Sequence, residues 1–255
     1  MSQNVLFVAH RGESFDAPEN TLAAINLAWQ RGAKAVEIDI HLTSDQRIVV
    51  THDANTKRQS GVDAEIAVST LADLKKLDVG SFKGAQWKGE SIPILEDVLR
   101  SVPTGGQLWI EIKCGSAVLE PLRDVLAKTP LRVGQVVLIG FNAEVMTFAK
   151  ARFPSHRVLL LGTADKDGVT SEPLVNDLLK RVRTGGLDGI NLCAANLDKN
   201  VFAAFKAAGM TVAVWTVNDP QRARQLIADG VDAIATDRAH WIRNAIAADR
   251  GDGYC

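Results

Sequence analysis

At 255 residues, 46% apolar and 23% charged, the chain is long enough for one large domain with a substantial core and has an ordinary globular composition. A net charge of −1 with no basic run excludes nucleic acid or an anionic membrane surface as the main partner. No stretch is long and apolar enough to predict a membrane span, and three scattered cysteines, Cys114, Cys193 and Cys255, predict free thiols in a reducing, cytoplasmic setting rather than a disulfide framework.

Short β-rich runs alternate with helical patterns along the chain. The opening run, Leu6–Ala9, follows no basic segment and predicts a strand, not a signal peptide. A helix is expected over Thr21–Arg31, with Asn20 as its N-cap and Gly32 as its stop. Further strands are expected at Ala35–Ile40, Leu108–Ile112, Val136–Ile139, Val158–Leu161, Gly189–Leu192, Val212–Thr216 and Ala233–Ala235. Helices are expected at Val118–Lys128, Ala143–Arg152, Pro173–Arg183, Lys199–Ala208, Pro220–Ala228 and His240–Ala248, and Asp237 is expected to cap the last. About eight strand–helix units in a chain of this length predict a (β/α)8 TIM barrel. A doubly wound sheet would carry a glycine-rich phosphate loop after its first strand, and His10-Arg11-Gly12 is not one. Residues 1–250 are expected to form this single domain. The polar segment 54–93, with one helical stretch at Thr70–Leu77, is expected to be a small insertion after the second barrel strand, and 251–255 a frayed tail.

The stretch Val36 to Asp53 concentrates the chemistry. Side chains alternate along a strand, so Glu37 and Asp39 share one face and Ile38 and Ile40 the other. The chain turns at Thr43–Gln46 and returns through Ile48-Val49-Val50 to His52-Asp53. Strand 1 ends in His10-Arg11, the strand at Leu108–Ile112 brings Glu111 and then Lys113 to one face, and Val212–Thr216 carries Trp215. Each has a plainer explanation: a hydrogen-bonded core histidine, a structural ion pair for Arg11, core filling for Trp215. What outweighs these is coincidence of place, because barrel sites sit at the C-terminal ends of the strands and all these groups end there. Three carboxylates suit a hard cation, Mg²⁺ or Ca²⁺, rather than zinc. Arg11 and Lys113 suit phosphate oxygens, and His10 and His52 suit proton transfer. Together they describe phosphodiester cleavage.

At these positions the chain resembles the glycerophosphodiester phosphodiesterases. The resemblance rests on His10-Arg11-Gly12, Pro18-Glu19-Asn20-Thr21, Glu37-Ile38-Asp39, His52-Asp53, Ser91-Ile92-Pro93-Ile94-Leu95-Glu96, Glu111-Ile112-Lys113, Trp215-Thr216-Val217-Asn218 and Thr236-Asp237. It implies a TIM barrel, a divalent metal on Glu37, Asp39 and Glu111, an acid–base pair of His10 and His52, Arg11 and Lys113 on the phosphate, and Trp215 lining the pocket. The substrate implied is a small glycerophosphodiester, cleaved to sn-glycerol 3-phosphate and an alcohol. After His52-Asp53 the family often runs T-L-D-R-T-T, whereas this chain reads Ala54-Asn55-Thr56-Lys57-Arg58-Gln59, a departure that bears on which alcohol is accepted. Two rivals stand beside this expectation: a lysophospholipase D-like barrel acting on lipid diesters, and a barrel that only binds metal or a phospho-ligand.

Overall fold

The structure, a computed structural model, describes residues 5–163, 165–166, 169–170, 172–195, 197 and 199–248. The expected tail at 251–255, with Cys255, lies outside the described residues. The strands are β1 (Leu6–Ala9), β2 (Ala35–Leu42), β3 (Ile48–Val50), β4 (Gln107–Ile112), β5 (Val136–Gly140), β6 (Arg157–Gly162), a hairpin of β7 (Asp165–Lys166) and β8 (Val169–Thr170), then β9 (Gly189–Cys193), β10 (Thr211–Trp215) and β11 (Ala233–Thr236). The helices are α1 (Leu22–Gln30), α2 (Lys57–Ser60), α3 (Leu71–Leu74), α4 (Leu95–Ser101), α5 (Leu119–Leu126), α6 (Ala143–Arg152), α7 (Glu172–Thr184), α8 (Lys199–Ala207), α9 (Pro220–Ala228) and α10 (Ala239–Ala248).

Strands β1, β2, β4, β5, β6, β9, β10 and β11 pair in parallel, and β1 bonds both β11 and β2, so the eight close into a barrel. β3 is antiparallel to β2 and lies outside the ring. The expected (β/α)8 architecture is therefore the observed one. Alternation divides the barrel into two cores. Ile38, Ile40, Ile110, Ile112, Leu138, Leu160 and Ile190 point outward and pack under the helices. Val8, Ala35, Trp109, Val137, Leu159, Leu161, Ala213 and Ala235 fill the lumen. Burial of this kind contributes about 25 cal/mol per Å² of apolar surface, which is why each strand keeps its register.

Several local expectations are corrected. Thr21, not Asn20, caps α1: its hydroxyl accepts from the Ala24 N–H at 3.3 Å, and Asn20 takes a left-handed φ of 59° that turns its amide elsewhere. Asp237 does not cap α10; its carboxylate is turned into the barrel mouth. The helix α4 was not expected, because seven residues after a proline show too short a period to stand out, although Leu95, Val98 and Leu99 bury one face of it. The expected helix at Thr70–Leu77 is one short helix, α3, capped by the Thr70 hydroxyl.

The segment 54–93 grows from β3. Ile48 and Val50 pack into the outer core, while Val49 faces the other way and gathers Ile66, Leu74, Val79 and Ile92 into a small core of its own. One strand with two apolar faces thus serves two packing layers.

Candidate active site

The β1–α1 turn is tight. Arg11 and Gly12 take left-handed φ values of 56° and 85°, and a Cβ on Gly12 would lie 2.5 Å from the Ala24 carbonyl carbon, so only glycine fits against α1. The turn aims the Arg11 N–H at Glu37 Oε2, 2.9 Å away, and returns the chain so that Asn20 N–H donates to the Arg11 carbonyl at 3.0 Å. Asn20 then braces β2: its side-chain N–H donates to Asp39 Oδ2 at 2.8 Å, and its carbonyl accepts from the Asp39 N–H at 3.1 Å.

Glu37, Asp39 and Glu111 offer carboxylate oxygens that all lie within 4.8 Å of one another, and all three residues are buried. Register explains the meeting, since Asp39 stands directly beside Glu111 on the neighbouring strand. Two cations reach in. Arg11 Nε lies 3.3 Å from Asp39 Oδ2, and Lys113 Nζ lies 2.8 Å from Glu111 Oε1 and 3.7 Å from Asp39 Oδ1. Two positive charges against three carboxylates leave an excess of one negative charge. Burial, then the charges of Asp39 and Glu111, raise the Glu37 carboxyl well above its usual range despite Arg11. Burial and Asp39 likewise push Glu111 up to about 7 against the pull of Lys113. Glu37 Oε1 and Asp39 Oδ1 are buried without a hydrogen-bond partner. Orphaned carboxylate oxygens converging at this spacing fit a hard divalent cation, and the donor set is compatible with one.

Two histidines flank the cluster, and each is held the same way. His10 Nδ1 donates to Asp237 Oδ1 at 2.7 Å, and Asp237 also accepts from the Ser14 hydroxyl at 3.1 Å and the Asn218 amide at 2.6 Å. Burial would raise the Asp237 carboxyl, but His10, Asn218 and Ser14 outweigh it and hold it at about 2. His52 Nδ1 donates to Asp53 Oδ1 at 2.7 Å. Burial also opposes ionisation of Asp53, and hydrogen bonds from Arg58 and His52 overcome it and lower its pKa. An ionised carboxylate only accepts, so in both rings Nδ1 carries the proton and Nε2 is the exchanging atom. Lys113 Nζ donates to His52 Nε2 at 3.2 Å.

Sequence reasoning singled out both histidines, the three acids, Arg11 and Lys113, and all of them gather here. Trp215 stands at the same mouth with its Nε1–H on the Asn191 carbonyl at 3.2 Å and its ring edge-on to Phe141 at 5.6 Å. Lys113 Nζ lies 5.9 Å over the Phe141 ring, which links the aromatic pair to the charged cluster. Four contributors were missed. His41, next in the Glu37–Asp39 alternation, donates through Nε2 to the His52 carbonyl at 3.1 Å, and burial lowers its pKa so that it stays neutral. Glu19 accepts from Arg11 at 3.0 Å and from Arg58 at 2.8 Å; burial raises its carboxyl, and those two arginines lower it further than burial raises it. Asp237 and Phe141 complete the set. Strand-end position could have flagged Asp237 and Phe141, since each directly follows a barrel strand, β11 and β5 respectively.

A closed parallel barrel with paired Asp–His dyads over a buried acidic cluster at its C-terminal mouth defines a hydrolytic (β/α)8 enzyme. Comparison with known proteins narrows the class. The model of the glycerophosphoryl diester phosphodiesterase family matches residues 10–240, and the chain belongs to that family. A glycerophosphodiester phosphodiesterase of Caldanaerobacter subterraneus is 30% identical over 245 residues, covering 94% of this chain and 97% of that protein. A human lysophospholipase D is 27% identical over 266 residues, covering 93% and 84%. Among solved structures, an Oleispira antarctica phosphodiesterase in complex with the product sn-glycerol-3-phosphate superposes with a TM-score of 0.86 at 31% identity, covering 94% of this chain and 96% of that one. The chain is thus an enzyme that hydrolyses glycerophosphodiesters, and no helix among the described residues is long and apolar enough to cross a membrane.

Proposed function

We propose that this enzyme releases sn-glycerol 3-phosphate and an alcohol by acid–base catalysis with His10 and His52, over Mg²⁺ or Ca²⁺ held by Glu37, Asp39 and Glu111. The observation that carries the reading is the pair of Asp–His dyads flanking a carboxylate cluster with two unsatisfied oxygens. A divalent cation bound there supplies charge stabilisation to the phosphoryl oxygens and acidifies the attacking hydroxyl. Arg11 and Lys113 bind the remaining phosphate oxygens, which suits their place beside the acids. His10 Nε2 accepts the proton of the attacking hydroxyl while Asp237 stabilises the imidazolium that forms. If that hydroxyl is water's, glycerol 3-phosphate results directly; if it is the substrate's own glycerol hydroxyl, a cyclic phosphate forms that water then opens to glycerol 3-phosphate. His52 delivers a proton to the departing alcohol. A protonated His52 Nε2 has no lone pair to accept from Lys113 Nζ, 3.2 Å away, which leaves that ammonium N–H for a phosphate oxygen. Trp215, with Phe141, lines the pocket for the organic part of the substrate.

Residues 1–250 act as one catalytic domain in this reading, and 54–93 shape the entrance for the alcohol. A cytoplasmic location fits Cys114 and Cys193, which are free thiols. The deciding experiment is turnover of glycerophosphocholine beside a lysophospholipid, each with chelator and with Mg²⁺ or Ca²⁺ restored. Metal-dependent release of glycerol 3-phosphate from glycerophosphocholine is expected. Preference for the lyso-lipid would favour the lipid diesterase, and no turnover of either would favour a binding barrel.

A further inference from the structure

The insertion reaches the active site through one side chain. Arg58, on α2, donates from Nη2 to Glu19 Oε1 at 2.8 Å, from Nη1 to Glu19 Oε2 at 3.2 Å, and from Nε to Asp53 Oδ2 at 2.6 Å. All three nitrogens of its fork are therefore engaged, two on one carboxylate and one on another. Each carboxylate in turn holds a group of the proposed machinery with an oxygen facing the site. Glu19 Oε1 also accepts from Arg11 Nη1 at 3.0 Å, and Asp53 Oδ1 accepts from His52 Nδ1 at 2.7 Å. The result is a continuous chain of charge-assisted bonds: Arg11, Glu19, Arg58, Asp53, His52.

The base of that bridge is fixed. Gln59, buried next to Arg58, accepts from the Thr51 hydroxyl at 3.1 Å just after β3 and donates to the Glu19 carbonyl at 3.5 Å. Thr56, also buried, ties the start of the helix to the Val62 carbonyl at 2.7 Å. The Arg58 side chain is 44% exposed, and ion pairs in such a place contribute little to folding. A lysine would retain the charge but present no planar fork to two carboxylates at once. The engaged geometry and the weak stabilising role together point to orientation as its task.

We propose that Arg58 is a positioning residue for both arms of the site. By fixing Asp53 it sets the His52 ring, and by fixing Glu19 it sets the Arg11 guanidinium. The first helix of the insertion thus carries the residue that joins the proton donor to the phosphate clamp. The inference rests on the roles given above to His52 and Arg11, and the test keeps the two apart.

Two readouts separate the arms. The first is the loss of kcat/KM on glycerophosphocholine relative to bis(4-nitrophenyl) phosphate, whose leaving group needs no proton and so reports on His52. The second is the inhibition constant of sn-glycerol 3-phosphate, which reports on Arg11. Asp53→Asn should move the first alone and Glu19→Gln the second alone. Arg58→Ala should move both, each by about tenfold or more, the scale of a lost hydrogen bond to a charged group. A mere tether would lower both rates equally and leave the inhibition constant in place, and that result in a cooperatively folding Arg58→Ala protein would overturn the proposal, as would values within twofold of the parent. If Arg58→Ala does not fold, Arg58→Lys serves: a change in at least one readout supports the proposal and a change in neither overturns it. His52→Ala and Arg11→Ala run alongside. If they fail to move their own readouts, the functional reading falls and takes this proposal with it; if they do and Arg58→Ala does not, the proposal alone falls.

Discussion

The barrel wall built by β1, β2 and β4 and the wall built by β5, β6, β9 and β10 obey one alternation rule to opposite ends. On the first, the inward positions near the mouth are His10, Glu37, Asp39 and Glu111, with Trp109 beside Glu37 an apolar exception. On the second they are Val137, Ile139, Leu159, Leu161 and Ala213, with Asn191 a buried polar exception. The strand order explains how both can coexist: β9 lies four strands from β2 in either direction, so the apolar wall faces the charged one across the lumen. The acids cannot be hydrated from that side, and their charge must be met by Arg11, Lys113, protons or a cation. The reactive wall is costly because the wall facing it is apolar, and an apolar surround strengthens every charge interaction made there.

The charged wall is most sensitive at its two histidines. A departing choline or glycerol alkoxide is strongly basic and needs a proton, whereas nitrophenolate does not. General-acid catalysis is worth about 10²–10⁴-fold where it is required. His52→Ala should therefore lose about that factor on glycerophosphocholine and much less on a nitrophenyl phosphodiester, while His10→Ala should lose rate on both because each still needs an activated nucleophile. The reverse pattern in steady-state kinetics would exchange the two roles, and an undiminished rate on the natural substrate in both variants would remove acid–base catalysis from these rings.

The opposite wall predicts the opposite phenotype. Leu159 is fully buried in the lumen core, and Leu159→Ala should cost about 2–5 kcal/mol of stability through lost transfer energy and the cavity left behind. Urea unfolding should show the lowered midpoint, and kcat per folded molecule should be largely retained. A variant that kept its midpoint and lost its rate would show that the dry wall does more than pack.

How far this division was legible beforehand follows from what is local. Alternation placed Glu37 and Asp39 on one face of β2 and Glu111 with Lys113 on one face of β4, but joining the two faces needed the expected barrel, whose mouth also gathers the strand-ending His10 and the hairpin-borne His52. What local rules misjudged were residues with two eligible partners. Asn20 and Asp237 are both good helix-capping types, and each was assigned to the nearest helix. Closure of the barrel gave Asn20 a partner on β2 and gave Asp237 a partner 227 positions away on β1's end, beyond any window of local pattern. His41 failed for another reason: its strand runs two residues past the expected end because β3 pairs with it.

The charged wall also has a pH signature when stripped of metal. Glu111 ionises at about 7 in the folded chain against an ordinary value of 4.5. A carboxyl whose folded pKa is raised holds its proton more tightly folded than unfolded. Its contribution to stability is present below pH 4.5 and is lost as pH rises through about 7. With chelator present, the protein should lose on the order of 3 kcal/mol across that window, and Glu111→Gln should lose less. Saturating Mg²⁺ or Ca²⁺ should flatten the dependence, since a bound cation takes the place of the proton. Melting curves at a series of pH values, with and without chelator, measure this; a chelated protein that grew more stable over the same range would contradict the picture of like charges confined by burial.

The smallest expected effect lies where the two walls meet, at Trp215. Its indole is half-buried on β10, edge-on to Phe141, and Phe141 carries the Lys113 ammonium over its face. Trp215→Phe keeps an aromatic ring against Phe141 and removes the Nε1–H that donates to the Asn191 carbonyl. One neutral hydrogen bond is worth about 0.5–1.5 kcal/mol, so the melting temperature should fall only slightly. If the indole is core filling alone, the change should end there, with KM and kcat untouched. If it lines the pocket for the organic part of the substrate, the smaller ring leaves that part less well held before and during reaction alike. Uniform loss of that kind raises KM and spares kcat. A rise of about two- to tenfold in KM for glycerophosphocholine, with kcat unchanged, is therefore expected, equivalent to about 0.4–1.4 kcal/mol. Inorganic phosphate, which has no organic part to reach the indole, should inhibit parent and variant equally. A matching loss of phosphate inhibition would instead place the defect in the charged wall, transmitted through Phe141 to Lys113.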